Sequence, residues 1–141
     1  MSTVSVTKQS ISLEAAERAL AAAKAKAAEL KIPMTIAIAD EAGTLKAFAR
    51  MEGASLLSVQ VAIDKAYTSA ISGFDTEGFF DFIQRDPPLL AGVPNLPRIM
   101  VFGGGIPFKS EGATIGGIGV SGGHWRDDVE VASAGCAALE Q

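Results

Sequence analysis

With 141 residues, 48% of them hydrophobic and 20% charged, the chain has the size of one domain and can bury a core of its own. Its net charge of −4 and its lack of any Lys/Arg cluster exclude a nucleic-acid surface, because phosphates require clustered cations to neutralise them. No run of about eighteen apolar residues offers a membrane span and the N-terminus has no signal-peptide core, so the chain reads as a cytoplasmic protein with no membrane partner.

Residues 1–11 read as an N-terminal extension and 12–141 as a single domain. The clearest helix covers 12–31: Ser12 is a good N-cap, Glu14 lies in the first turn, and Leu13, Ala16, Leu20, Ala23, Ala27 and Leu30 recur at helical spacing until Pro33. Its stripe is mostly alanine, which lets a helix lie close against a sheet. From Met34 the period drops to two, with Ile36, Ile38 and Asp40 on one face and Thr35, Ala37 and Ala39 on the other. Residues 40–43 turn the chain into a second strand, 45–51, and complete an antiparallel hairpin.

Ser55 caps a second helix, 55–72, whose apolar positions run around most of its circumference. Two of its sides need covering, one by the sheet and the other by a neighbouring subunit or a ligand. After Gly73 a shorter helix starts at Asp75 and runs through Phe79, Phe80, Phe82 and Ile83. Its phenylalanines cannot share one face, so at least one points outward or to a pocket rim. Residues 85–88 end that element and 89–97 read as a loop. Strands resume at 98–102, and a last helix spans about His124 to Leu139 with Asp127, Asp128 and Glu130 near its positive end. This order predicts an α+β fold with a mainly antiparallel sheet of about five strands flanked by helices.

Between the last strands and the last helix lies 102–123, in which nine of twenty-two residues are glycine, interleaved with Ile106, Phe108, Ile115, Ile118 and Val120. That mixture reads as short strands and tight turns rather than a linker. Glycine in a strand bares the sheet face where a backbone or a flat ligand comes close. The run Gly103, Gly104 and Gly105 either presents N–H groups to a carboxylate or other oxyanion, or only relieves crowding between strands and helices. The sole cysteine, Cys136, sits among apolar neighbours as a buried thiol, and no cysteine or histidine cluster suggests zinc.

Several segments together resemble the GlcG and HbpS-like family of haem-binding or haem-degrading proteins, also seen as the C-terminal domain of PduO-type proteins. They are 40–43 followed by 47–54, then Asp64-Lys65-Ala66-Tyr67-Thr68, 103–107, 115–123, and Asp127-Asp128 entering the last helix. The resemblance runs from Ser12 over almost the whole chain. It implies a profilin-like sheet flanked by helices, assembled as dimers or higher oligomers. A homo-oligomer also agrees with the apolar surplus, which needs somewhere to be buried. In PduO-like members of the family the iron is held by a histidine of the first helix, and 12–31 contains none; His124, Met51, Tyr67 or a threonine hydroxyl are the remaining candidates.

The segment His124-Trp125-Arg126 departs from the family pattern. It combines a proton-transfer group, a flat apolar wall and a two-point carboxylate partner at a helix start. It reads either as a small anionic ligand site or as a capped helix end with Trp125 at an interface. Lys65 lies in a helix that is apolar nearly all round and either reaches water or meets an anion in a pocket. Asp40, Glu41 and Glu52, near the ends of the hairpin strands, are general-base candidates or turn residues.

Three functions remain open. One is a small-molecule-binding protein for haem or a related flat apolar ligand. Another is a cofactor-independent lyase or isomerase acting on a small, perhaps aromatic, carboxylic acid in a catabolic pathway, with His124 moving the proton, Arg126 or Lys65 holding the carboxylate, and the 103–105 N–H groups stabilising charge. The third is a structural or accessory subunit.

Overall fold

Ser12 starts helix α1 (Leu13–Leu30) by accepting the N–H of Ala15 at 3.1 Å, and the helix ends where Lys31 turns left-handed at φ 61°, two residues before Pro33. The computed structural model describes residues 3–140. Ile11 is buried against the core and donates its N–H to Ile115. The alternation from Met34 produces β1 (Thr35–Asp40), and Gly43 at φ 80° turns it into β2 (Leu45–Arg50). Strands β3 (Gly105–Ser110) and β4 (Ala113–Ser121) complete one sheet of order β2-β1-β4-β3, antiparallel throughout.

The two faces of this sheet differ in side-chain size. Ile36 and Ile38 of β1 join Ile118 and Val120 of β4 on the face covered by α1 and by α5 (Trp125–Ala137). Ala16, Ala19, Ala23 and Ala27 close that layer from α1, so the small stripe does bring the helix close. On the opposite face Ala37 and Ala39 meet Ala62, Ala66 and Ala70 of α2 (Leu56–Ser72), which runs from its Ser55 cap to Gly73.

Glycine is what lets α2 settle there. A methyl group on Gly119 would overlap Ala62 O and Ala66 N, one on Gly117 would come within 2.7 Å of Ala66 O, and one on Gly105 within 2.6 Å of Lys65 O. At these three positions the glycines relieve crowding between a strand and a helix backbone.

The α+β architecture is as expected, but among the described residues the strands number four, not five. Residues 98–102 form no strand because α2 has taken their backbone groups: Thr68 Oγ1 donates to Arg98 O and accepts from Met100 N–H, both at 3.0 Å. Between α3 (Thr76–Ile83) and that segment the expected loop is partly helical, with α4 (Pro87–Gly92) followed by a 3-10 turn at 93–95. Asp86 caps α4, and its prolines occupy first-turn positions where no N–H is needed. Phe82 is 59% exposed while Ile83 of the same helix is buried, as the crowding of phenylalanines required.

The close approach of α2 predicts that Gly119→Ala destabilises the protein by about 3 kcal/mol or more, through overpacking against backbone that cannot yield. Gly92→Ala, with nothing within 4 Å of its new methyl group, should change stability by no more than ~1 kcal/mol. Urea unfolding of both variants checks this, and an unchanged midpoint for Gly119→Ala would refute the packing described.

Candidate functional site

Along the middle of α2 each polar side chain fastens a different segment. Asp64 accepts from Arg98 Nε at 3.0 Å, and the Arg98 guanidinium stacks 3.9 Å from the Tyr67 ring. Thr68 holds the backbone at 98 and 100. Lys65 is fully buried; its Nζ donates to Val120 O at 2.9 Å and to Asp128 Oδ2 at 3.0 Å, and it lies 4.8 Å from the centre of the Phe102 ring. Asp128 returns through Oδ1, which accepts the Gly123 N–H at 3.2 Å.

Burial draws the Lys65 ammonium below its ordinary value and lifts the Asp128 carboxyl above its own, while the opposite charge of each works against both shifts. Each charge is tolerated here because the other is present. The backbone bends around the pair: Gly104 adopts φ 127°, and a methyl group there would stand 2.6 Å from Lys65 Nζ. Lys65 is therefore a buried tether and not a group aimed at a ligand.

Above this tether the start of α5 builds a wall. His124 is its N-cap, with Nδ1 accepting the Arg126 N–H at 3.1 Å. The His124 ring lies 5.4 Å from that of Trp125, and the Arg126 guanidinium 4.6 Å from it on the same indole. Trp125 in turn covers Gly103, where a methyl group would stand 2.7 Å from Trp125 Cε3.

Two cavities flank the wall. One of about 500 Å³ is lined by Phe80, Val101, Phe102, Gly103 and Trp125, with Glu77 and Asp81 at its edge. The other, about 400 Å³, is lined by Leu57, Val61, Ser121, Gly123, His124 and Asp128 among others, and shares Phe102 and Trp125 with the first.

Of the residues singled out in the sequence, His124, Trp125, Arg126 and Gly103 come together at this wall, with Lys65 and Gly104 directly beneath. Gly105 does not offer a free N–H, since it donates to Thr76 Oγ1 at 2.9 Å. Asp40 stands at the far end of β1, opposite Gly116, whereas Thr35 at the near end pairs with Ser121. Its Oδ1 accepts the N–H groups of Ala42 and Thr44 at 2.9 and 3.0 Å, so it is a turn residue remote from the wall. Tyr67 lies over Gly43 in that same turn, and Met51 packs against the α1 side of the core. Phe102 and Asp128 were not singled out, although the Asp127-Asp128 pair carried a signal for the second; Phe80 belongs to the phenylalanine group of which at least one was read to point outward or to a pocket rim. Among the described residues no group of three His, Cys, Asp or Glu is placed to hold a metal ion, and no helix is long and apolar enough to cross a membrane.

An antiparallel sheet with helices on both faces, tied through a buried lysine to the start of the last helix, defines an α+β scaffold carrying an aromatic wall at one end. The family model described as haem degrading protein HbpS-like matches residues 11–137, and the chain belongs to this HbpS-like family. It is 34% identical over 119 residues to an uncharacterized 15.0 kDa protein in the dhaT-dhaS intergenic region of Citrobacter freundii, covering 84% of each chain. Among solved structures it resembles HbpS with a TM-score of 0.90 at 27% identity, covering 99% of this chain and 96% of that one. It also resembles a PduOC:heme complex with a TM-score of 0.86 at 30% identity, covering 92% and 95%.

Two outcomes follow from the site. Lys65→Met and Asp128→Leu each leave an uncompensated buried group and should cost about 3 to 5 kcal/mol, whereas the double variant Lys65→Met/Asp128→Leu should cost no more than the larger of the two. Strict additivity in a denaturation cycle would show that the pair is not coupled. Burial pushes the Cys136 thiol up to about 12. Iodoacetamide at pH 8 should therefore modify the native protein roughly a hundredfold or more slowly than the denatured chain, because so little thiolate is present.

Proposed function

We propose that the chain is a small-molecule-binding protein that seats a flat, largely apolar ligand against Phe102 and Trp125, with haem as the first candidate. The observation that carries this reading is the pair of adjoining cavities sharing those two aromatic rings. Phe102 is 45% exposed although its ring is held over a buried ammonium, an arrangement that keeps a large apolar face presented to the solvent side. Membership of the HbpS-like family and the likeness to a protein solved with heme support the choice of candidate.

The side chains present fit the macrocycle of haem better than its metal. Phe102 and Trp125 stack on the ring, while Phe80, Leu57 and Val61 exclude water from its edges. Among the described residues no iron ligand stands ready at the wall: His124 Nδ1 accepts the Arg126 N–H, which leaves the neutral ring's proton on Nε2, and Met51 and Tyr67 lie elsewhere. Haem, when bound, supplies redox and dioxygen chemistry, and the chain's own contribution is to bind and orient the ring and shield it from water.

The exposed Leu56 and Leu57, at 79% and 77%, support a homo-oligomer, dimer or higher, as part of the same reading, and a single free, half-buried thiol suits a cytoplasmic protein. The lyase or isomerase reading retains His124 and Arg126 but has less support, because Lys65 and the Gly105 N–H are already engaged.

A hemin titration followed by absorbance tests the proposal. The wild type should give a saturable Soret change with micromolar or tighter affinity, weakened roughly tenfold in Trp125→Ala by loss of the stacking surface. A featureless titration of the wild type would sink it.

A further inference from the structure

The hydrogen bond that caps α5 also decides which nitrogen of His124 is available. A backbone N–H can only donate, so the Nδ1 that accepts from Arg126 N–H is the unprotonated nitrogen, and in the neutral ring the proton sits on Nε2. An Nε2 that carries its proton is a hydrogen-bond donor and not a metal ligand. To bind a metal, the ring would have to move its proton to Nδ1 and leave the first N–H groups of α5 uncapped. Among the described residues nothing accepts from Nε2, and His124 is exposed while lining the smaller cavity.

Charge is distributed unevenly across the wall. The larger cavity has Glu77 and Asp81 at its edge, which repel an acidic substituent. The smaller one has His124, and its own carboxylate, Asp128, is already neutralised by Lys65 and by the Gly123 N–H. Arg126 adds a cation next to it on Trp125. We infer that His124 is a specificity residue that donates from Nε2 to a carboxylate of the bound ring, placing the acidic edge of the ligand in the smaller cavity, and that it does not ligate a metal. The inference rests on the ligand reading above and adds to it the chemistry of one edge: the ligand is a flat ring bearing at least one carboxylate, as the propionates of haem do.

The test compares hemin, metal-free protoporphyrin IX and protoporphyrin IX dimethyl ester on the wild type and on His124→Ser. Serine keeps the N-cap, so α5 stays intact, but it is too short to reach the ligand. Affinity is read by absorbance and by quenching of Trp125, the only tryptophan. His124→Ser should weaken hemin and protoporphyrin IX equally, by roughly tenfold, and leave the ester unaffected, as expected for one lost hydrogen bond to a charged group. A loss confined to hemin, with a displaced Soret maximum, would make His124 an iron ligand and overturn the inference. So would an ester weakened as much as the acid, or an acid not weakened at all. Failure of the wild type to bind any of the three overturns the ligand reading itself, and is thereby distinguished from failure of the His124 assignment alone.

Discussion

Helix α2 approaches β4 so closely that two backbones touch where side chains would ordinarily intervene. Gly117 and Gly119 make this contact, and its consequence is that the sheet-facing side of α2 has no room for large apolar residues. Alanine, serine and threonine occupy it instead, and one long side chain, Lys65, leaves it for the end of the sheet. An ammonium enclosed in this way must find oxygen acceptors in the interior, since an isolated buried charge is far costlier than a paired one. Val120 O and Asp128 meet that need, and in meeting it they fix where β4 ends and where α5 begins.

The wall at the end of the sheet is a by-product of the same tether. Phe102 packs over the Lys65 ammonium, Gly104 bends around it, and Trp125 closes over Gly103. Asp64, just before Lys65, and Tyr67 and Thr68, just after it, hold the 98–100 segment. The wall is therefore preorganised by contacts below it, with its exposed aromatic faces left to solvent. Preorganisation of this kind lowers the ordering cost of binding a rigid flat molecule.

Most of the architecture was legible in the chain because period and capping speak locally: Ser12, Ser55 and Asp75 each cap the helix they were read to start, and β1 and β2 alternate as expected. The segment 98–102 was misread as a strand because its extended, β-rich composition is overridden by Thr68, thirty residues away in sequence. Pro87 and Pro88 read as breakers, yet proline is at home in a first helical turn. Lys65 illustrates a deeper limit. An apolar helix with one lysine shows that the ammonium needs a partner, but no pattern in the sequence tells a bound anion from an aspartate 63 positions on.

His124, Trp125 and Arg126 occupy the outer side of a turn whose inner side is secured by Asp128, Gly123 and Gly104. Apart from a helix cap that serine, threonine, asparagine or aspartate can also provide, none of these three side chains carries the scaffold. On the proposed reading, recognition and folding are thus assigned to different residues of one short segment. Such a division lets the chemistry of the wall change by a few substitutions at constant fold, so a single scaffold of this kind can be retuned from one ligand to another without passing through an unstable intermediate.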